Sequence, residues 1–186
     1  MEWHDGRCRC KWANPQNPLY IQYHDNEWGV PLHDDAALFE LLILECFQAG
    51  LSWECVLNKR AAFRRAFDGF DLQTVCAYDE QKLLELQQDA GIIRNRRKIK
   101  AAVNNARVFR RIQAEFGSFD AWLWHWTKGE SLVEYGPAAS PLSDAVSADL
   151  KRRGMTFVGS TIVYAYLQAA GVINGHEPGC FWYLGE

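Results

Sequence analysis

The sequence predicts an all-α fold. Apolar residues recur at helical spacing along most of the chain, and the alternation of half-buried strands is nearly absent. Ser, Asp and Asn stand ahead of the apolar runs, where helix caps belong. A chain of 186 residues favours one domain, or two tightly joined lobes. With 48% hydrophobic residues and eight Trp, it can bury roughly 70% of the surface its unfolded state exposes.

The elements follow in order. Asp34 or Asp35 caps a helix to about Ala49, with Leu38, Leu41 and Leu42 as its stripe. Ser52 opens a second helix that turns Val56, Leu57 and Phe63 inward. Asp71 and Asp79 cap two short helices, and Gly91 ends the second. A long helix runs from Asn95 to about Phe116, with Ile99, Ala102, Val103, Ala106 and Phe109 on one face. Ser118 caps a turn bearing Trp122, Trp124 and Trp126, which read as core. Residues 128–141 are irregular. Ser143 caps a helix ending at Gly154, and a last helix runs from Ser160 to Ala170 before Gly171. The ends, up to about Pro31 and beyond Val172, are rich in Gly, Pro, Asn and His and read as loop.

Six scattered cysteines, three of them inside predicted helices, argue against a secreted disulfide framework. The first residues hold no apolar signal core, and no run of 18 apolar residues exists. An intracellular, cytoplasmic chain that spans no membrane is expected. The formal charge of −3 is mildly against a nucleic-acid partner, but its distribution is not. From Arg94 to Arg111 there are eight basic residues and no acidic one, and Lys151, Arg152 and Arg153 form a second cluster. Such patches suit a phosphate backbone, although most charge runs are solvated helix faces.

Three constellations carry chemistry. His176 and Cys180 form an H-x3-C pair, and Cys10 (or Cys8) and His24 stand near the other end. Two sulfurs and two imidazoles suit a closed, structural tetrahedral zinc site that would clip both ends together; buried thiols and solvent-facing imidazoles are the plainer reading. Residues 150–161 join two helices through Gly154 and Gly159. A glycine permits positive φ or close phosphate approach, and a helix start binds anions; a simple packing corner explains the same pattern. Glu45 follows Leu38, Leu41 and Leu42 at helical spacing and so faces the core. Tyr20, Tyr23, Trp28 and Trp53 lie around it in sequence. A buried carboxylate among aromatic faces suits a flat cation, or else a Glu bonded to a loop backbone.

The run from Tyr23 through His24, Asp25, Asn26, Glu27 and Trp28 to Gly29 is the most specific string in the chain. Together with Leu44-Glu45, the segments 48–53, 89–94 and 157–159, and His176 to Cys180, it closely resembles the 3-methyladenine DNA glycosylase I family. The resemblance runs from about Cys10 to Tyr183. It implies a helix-hairpin-helix glycosylase fold in one domain over residues 1–186, with a helical core at about 34–170. Zinc-linked ends lie at about 8–31 and 172–183. It selects Cys10, which precedes Lys11-Trp12, over Cys8, and adds His24, His176 and Cys180 as ligands of one structural zinc ion. It assigns Tyr20, Tyr23, Trp28, Glu45 and Trp53 to the base pocket, with Glu45 as the catalytic carboxylate. Lys151, Arg152, Arg153, Gly154, Gly159 and Ser160 are the expected DNA contacts. The implied partners are double-stranded DNA with alkylated bases and free 3-methyladenine as product, handled by a monomer. No aspartate follows Asp149, and no lysine is marked for a Schiff base. Hydrolysis of the flipped, cationic base without strand cleavage is therefore expected. The chain departs from the family at Cys46-Phe47, at Phe181-Trp182 and over residues 128–141.

Overall fold

The computed structural model describes residues 5–185. Residues 1–4, which belong to the segment read as lacking a signal core, lie outside the described residues. Among those described no helix is long and apolar enough to cross a membrane.

The fold is built around helix α2 (Asp35–Gln48), capped by Asp34, whose carboxylate accepts from the Ala37 amide. Every residue from Leu38 to Phe47 is buried. Such a helix is enclosed on all faces rather than along one stripe. Its first half packs aromatic rings: Phe39 meets Phe109 at 5.2 Å between ring centres, and Phe109 stacks on Phe119 at 3.9 Å. Its last turn carries Glu45 and Gln48.

Short helices surround it. α1 (Pro18–Asn26) forms where the sequence reads as loop. Asn17 caps it and Pro18 starts it, a favourable first-turn residue. Its buried residues are Tyr20, Tyr23 and His24, at helical spacing. The stripe was hidden because it is made of functional side chains rather than aliphatic ones. The helix expected from Ser52 is two: α3 (Trp53–Leu57) and α4 (Arg60–Ala66). Long-range bonds hold the intervening turn, from Asn17 Nδ2 to Asn58 Oδ1 at 3.0 Å and from Lys59 Nζ to the Gly91 carbonyl at 3.2 Å.

Asp71 and Asp79 cap α5 (Leu72–Cys76) and α6 (Glu80–Gln88) as expected. Helix α6 stops before Gly91, because the Asp89 carboxylate takes the Gly91 amide at 2.7 Å and turns the chain. Helix α7 (Arg96–Phe116) is capped by Asn95, and Ser118 caps α8 (Phe119–Trp124). Helix α9 (Pro141–Arg152) starts earlier than expected. Ser140 is the cap, and Ser143 is its partner in a reciprocal capping box. Helix α10 (Ser160–Ala169) packs against both α9 and α2. Within the irregular 128–141 stretch, β1 (Leu132–Val133) pairs in parallel with β2 (Ile173–Asn174).

Gly171 closes α10 with φ +72°, and a Cβ there would overlap the backbone of Val30 and Pro31. The chain end after α10 is thereby pressed onto the N-terminal region. Gly171→Ala should lower unfolding free energy by at least about 2 kcal/mol, from left-handed strain and backbone overlap together. Urea unfolding of the variant against wild type would measure it.

Candidate active site and metal centre

The last turn of α2, helix α1, Trp53 at the start of α3 and the middle of α10 enclose a cavity of about 180 Å³. Its lining is Trp12, Tyr20, Tyr23, Trp28, Glu45, Gln48, Trp53, Ala165 and Gln168. All five pocket residues expected from the sequence are therefore brought together. A cavity of about 150 Å³ takes one benzene ring, so this one has room for a single flat ring system. Trp12 meets Tyr20 at 5.2 Å and Trp28 at 4.8 Å, and Tyr23 meets Trp53 at 5.2 Å. Interplanar angles of 42–71° leave these rings tilted rather than collapsed face to face.

Glu45 is 2% exposed. Desolvation alone pushes its carboxyl up to about 8, since nothing nearby compensates the charge. Three polar atoms of the lining have no hydrogen-bond partner: Glu45 Oε2, Gln48 Oε1 and Trp53 Nε1. Buried polar atoms are nearly always paired, by protein, ligand or water, so these three atoms around one cavity are available to bond what enters it. Burial also pushes the Tyr20 hydroxyl up to about 12 and raises that of Tyr23, so both are donors at neutral pH.

Beside the cavity lies a second buried cluster. The ligand atoms of Cys10, His24, His176 and Cys180 all fall within 4.8 Å of one another and could hold a metal ion. His176 Nδ1 is 3.4 Å from both the Cys10 and Cys180 sulfurs, and His24 Nε2 is 3.5 Å from Cys180 Sγ. Cys8, the alternative to Cys10, is exposed and outside the cluster. The outer nitrogens are held as metal-binding imidazoles usually are. His24 Nδ1 meets Asp25 at 2.9 Å, with Arg9 bound to the same carboxylate at 2.6 and 2.7 Å, and His176 Nε2 donates to the Trp28 carbonyl at 3.2 Å. Burial lowers the pKa of both histidines, that of His176 to about 4, which keeps the rings neutral. Gly29 leaves room for this: a Cβ there would sit 2.8 Å from His176 Nε2.

Cluster and cavity share walls. Trp28 lines the cavity and meets the His176 ring edge-on at 4.5 Å; Trp12 lines it too and lies 5.2 Å from the His24 ring. Of the departures noted in the sequence, Cys46 and Phe47 are buried and off the cavity, while Phe181 and Trp182 lean on the histidines at 5.9 and 6.5 Å.

The 150–161 segment is a hairpin between α9 and α10. Gly154 has φ +99°, whereas Gly159 has φ −63° and open space where a Cβ would stand. Helix α10 opens there without a side-chain cap. Lys151 and Arg152 are exposed, and Ser160 Oγ lies 2.8 Å from Ser143 Oγ. Arg153 is engaged inside the protein, bonding Glu115 at 2.6 Å and Asp149 at 2.6 Å. Asp149 itself is bound to Arg152, Arg153 and Trp122 and does not reach the cavity. Helix α7 carries the hairpin: Asn105 accepts from the Thr156 amide and donates to its carbonyl, and Asn104 donates to the Gly154 carbonyl at 2.7 Å.

Sequence reasoning missed Gln48, Trp12, Ala165 and Gln168 as cavity residues. Gln48 stands one position short of a helical turn after Glu45, a spacing that places both on one side of α2. Trp12 stood beside the expected ligand Cys10 without being assigned to the cavity, and nothing local marked Ala165 or Gln168.

A family model described as methyladenine glycosylase matches residues 12–183. The chain is 46% identical to DNA-3-methyladenine glycosylase 1 of Escherichia coli (strain K12), over 96% of this chain and 98% of that protein. It is 36% identical to the DNA-3-methyladenine glycosylase of Haemophilus influenzae, over 92% and 96%. A crystal structure of a 3-methyladenine DNA glycosylase I matches with TM-score 0.90 and 43% identity, over 95% of this chain and all of that one. A structure of the Staphylococcus aureus enzyme, solved for its recognition of 3-methyladenine, matches with TM-score 0.90 and 33% identity, over 96% and 97%.

The raised Glu45 pKa sets a pH dependence. A carboxyl that binds its proton more tightly when folded contributes stability that is fully present below its ordinary value of 4.5 and is lost as pH rises through about 8. From pH 5 to pH 8 the ligand-free protein should lose on the order of 3 kcal/mol from this group. Glu45→Gln should remove that loss. Urea unfolding of both proteins at the two pH values isolates it, and equal slopes would remove the assigned cause.

Proposed function

The chain belongs to the methyladenine glycosylase family, and from that premise we propose that it hydrolyses the N-glycosidic bond of 3-methyladenine in alkylated DNA. The observation that carries this reading is the aromatic cavity with an unpartnered, fully buried carboxylate. Methylation at N3 makes adenine cationic and a good leaving group. A cation entering beside Glu45 supplies the opposite charge, so the carboxyl gives up its proton and the pair forms out of bulk water. A neutral base offers no such gain. The edge of adenine presents an amino donor and ring-nitrogen acceptors. The two orphan oxygens of Glu45 and Gln48 and the indole N–H of Trp53 complement it.

In this mechanism the base leaves the stack, and Tyr20, Tyr23, Trp28 and Trp53 enclose it. The C1′–N9 bond breaks with its electrons passing to N9, which discharges the ring. A water oxygen bonds C1′ and its proton is lost to solvent. The reaction is hydrolysis alone, with no Schiff base and no strand cleavage. The α9–α10 hairpin serves as the helix-hairpin-helix element. Gly154, Gly159 and Ser160 bring its backbone to a phosphate, Lys151 and Arg152 supply charge, and Arg153 braces the turn. The working unit is a single monomeric glycosylase domain in the cytoplasm, with free 3-methyladenine as product.

The metal is zinc, held by Cys10, His24, His176 and Cys180. The donor set supports this. A tetrahedron with Zn–S near 2.3 Å and Zn–N near 2.1 Å has S···N edges of about 3.6 Å, against the 3.4 and 3.5 Å found. With four protein ligands the ion offers water no place, and what it supplies is folding free energy.

Methylated DNA incubated with the protein should release 3-methyladenine, resolved by chromatography. Glu45→Gln should cut the rate by between about tenfold and a hundredfold, the worth of a hydrogen bond to a charged group. No release by folded wild-type protein would overturn the glycosylase reading, and release at the wild-type rate by the variant would overturn the role of Glu45. Elemental analysis should find one zinc per chain. Cys180→Ser should lose it and melt about 10 °C lower, corresponding to ~3 kcal/mol in a chain of this size. Full zinc content in the variant would remove Cys180 from the ligand set.

A further inference from the structure

Lys98 is buried, with 6% of its surface exposed, at the start of α7. Its ammonium has no carboxylate partner among the described residues. It donates instead to two main-chain carbonyls, Phe47 O at 2.8 Å and Ala49 O at 2.5 Å. Desolvation lowers its pKa from the ordinary lysine value. Burying an ammonium without a counter-ion is costly, so the position calls for an explanation.

The two carbonyls lie where the chain leaves α2. Ala49 has φ −44° and ψ 113°, Gly50 has φ +77°, and the Leu51 amide turns back to Gln48 O at 2.6 Å. A helix C-terminus leaves carbonyls without partners and carries partial negative charge. Lys98 answers both needs with charge-assisted bonds. The strap it holds, residues 49–52, joins Gln48 to Trp53. Those two residues, with Glu45 a turn earlier, carry all three of the cavity's orphan polar atoms. A compact ammonium with three donors can serve two diverging carbonyls, which a methionine of similar length cannot.

We propose that Lys98 is a positioning residue for the base cavity: its ammonium clamps the end of α2 and the 49–52 strap, fixing Gln48 and Trp53 at the spacing a flat base requires. The inference rests on the glycosylase reading above, since a base is what the spacing serves. Lys98 touches no substrate and acts through the backbone it holds.

The test compares wild type, Lys98→Met and Lys98→Arg, each loaded with its metal, at a temperature where circular dichroism shows them folded. Affinity for free 3-methyladenine is read from tryptophan fluorescence, and kcat and KM from base release. Lys98→Met should lose about tenfold or more in free-base affinity and in kcat, as misplaced site groups do. Its KM for DNA should stay within about twofold, because the expected DNA contacts lie elsewhere. Lys98→Arg should recover part of the loss. A lower melting temperature with wild-type affinity and kcat would reduce Lys98 to a purely structural lysine and overturn the proposal. Should Lys98→Met fail to fold, the side-chain NH3+ resonance of wild-type Lys98 decides. A clamped ammonium exchanges slowly and shifts when free 3-methyladenine fills the cavity; fast exchange, or no shift at saturation, overturns the clamp. Wild-type protein that releases no base from DNA would fail the glycosylase reading separately, and the resonance would still report on Lys98.

Discussion

Glu45 sits at the end of a helix enclosed on every side, with one oxygen unpartnered and its charge disfavoured by burial. That arrangement costs the folded protein stability, and such a cost persists only where the surroundings over-determine it. The surroundings here do so. Helix α2 cannot rotate or slide, because α7, α8 and α10 pack against it with the large aromatic rings of the core. The carboxylate therefore cannot turn to solvent. Burial favours its uncharged form, and under the proposed function a ligand that brings positive charge would relieve that cost.

The aromatic walls depend on a different constraint. Trp12 and Trp28 belong to the chain end that precedes α2, a region with few aliphatic residues to hold it. The four-residue thiol and imidazole cluster closes this region onto the tail that follows α10, and Gly29 and Gly171 permit the close approach. Because Trp28 and Trp12 touch both the histidines and the cavity, whatever tightens the cluster also sets the cavity wall. Structural and binding roles are thus joined through shared side chains rather than separated in space.

Helix α7 links the remaining parts. Lys98 near its start reaches the strap beside the cavity, and Asn104, Asn105 and Arg111 further along hold the hairpin between α9 and α10. One helix thereby spaces the cavity from the α9–α10 hairpin. The basic run is divided by this geometry: Lys98 is buried on the carbonyls of another helix, whereas Arg94, Arg96, Arg97, Lys100 and Arg107 are exposed, Arg107 while also bonding the Cys76 carbonyl.

Much of this was legible in the sequence. The all-α class, the span of α2 and α7, and the caps Ser52, Asp71, Asp79 and Ser118, with Asp34 as one of two candidates, follow from local chemistry, because a cap bonds its own next turn. The four cluster residues and the five cavity residues were legible through the family-specific string around His24 and Trp28, not through spacing alone. What stayed hidden was either a local pattern that does not look aliphatic or a contact between distant segments. Helix α1 was missed because its buried stripe is Tyr20, Tyr23 and His24 rather than aliphatic residues. The break between α3 and α4 depends on Asn17 and Gly91, and the start of α9 on a reciprocal bond between Ser140 and Ser143. Gln168 and Ala165 line the cavity only because α10 packs on α2, and Lys98 reads as one charge in a basic run until its ammonium is found on the carbonyls of another helix. Local chemistry settled most of the helices and all of the chemical groups present, since caps and side-chain types act on their own neighbourhood. Tertiary structure alone decided which groups are desolvated together, because burial and the loss of hydrogen-bond partners are properties of packed neighbours rather than of any residue.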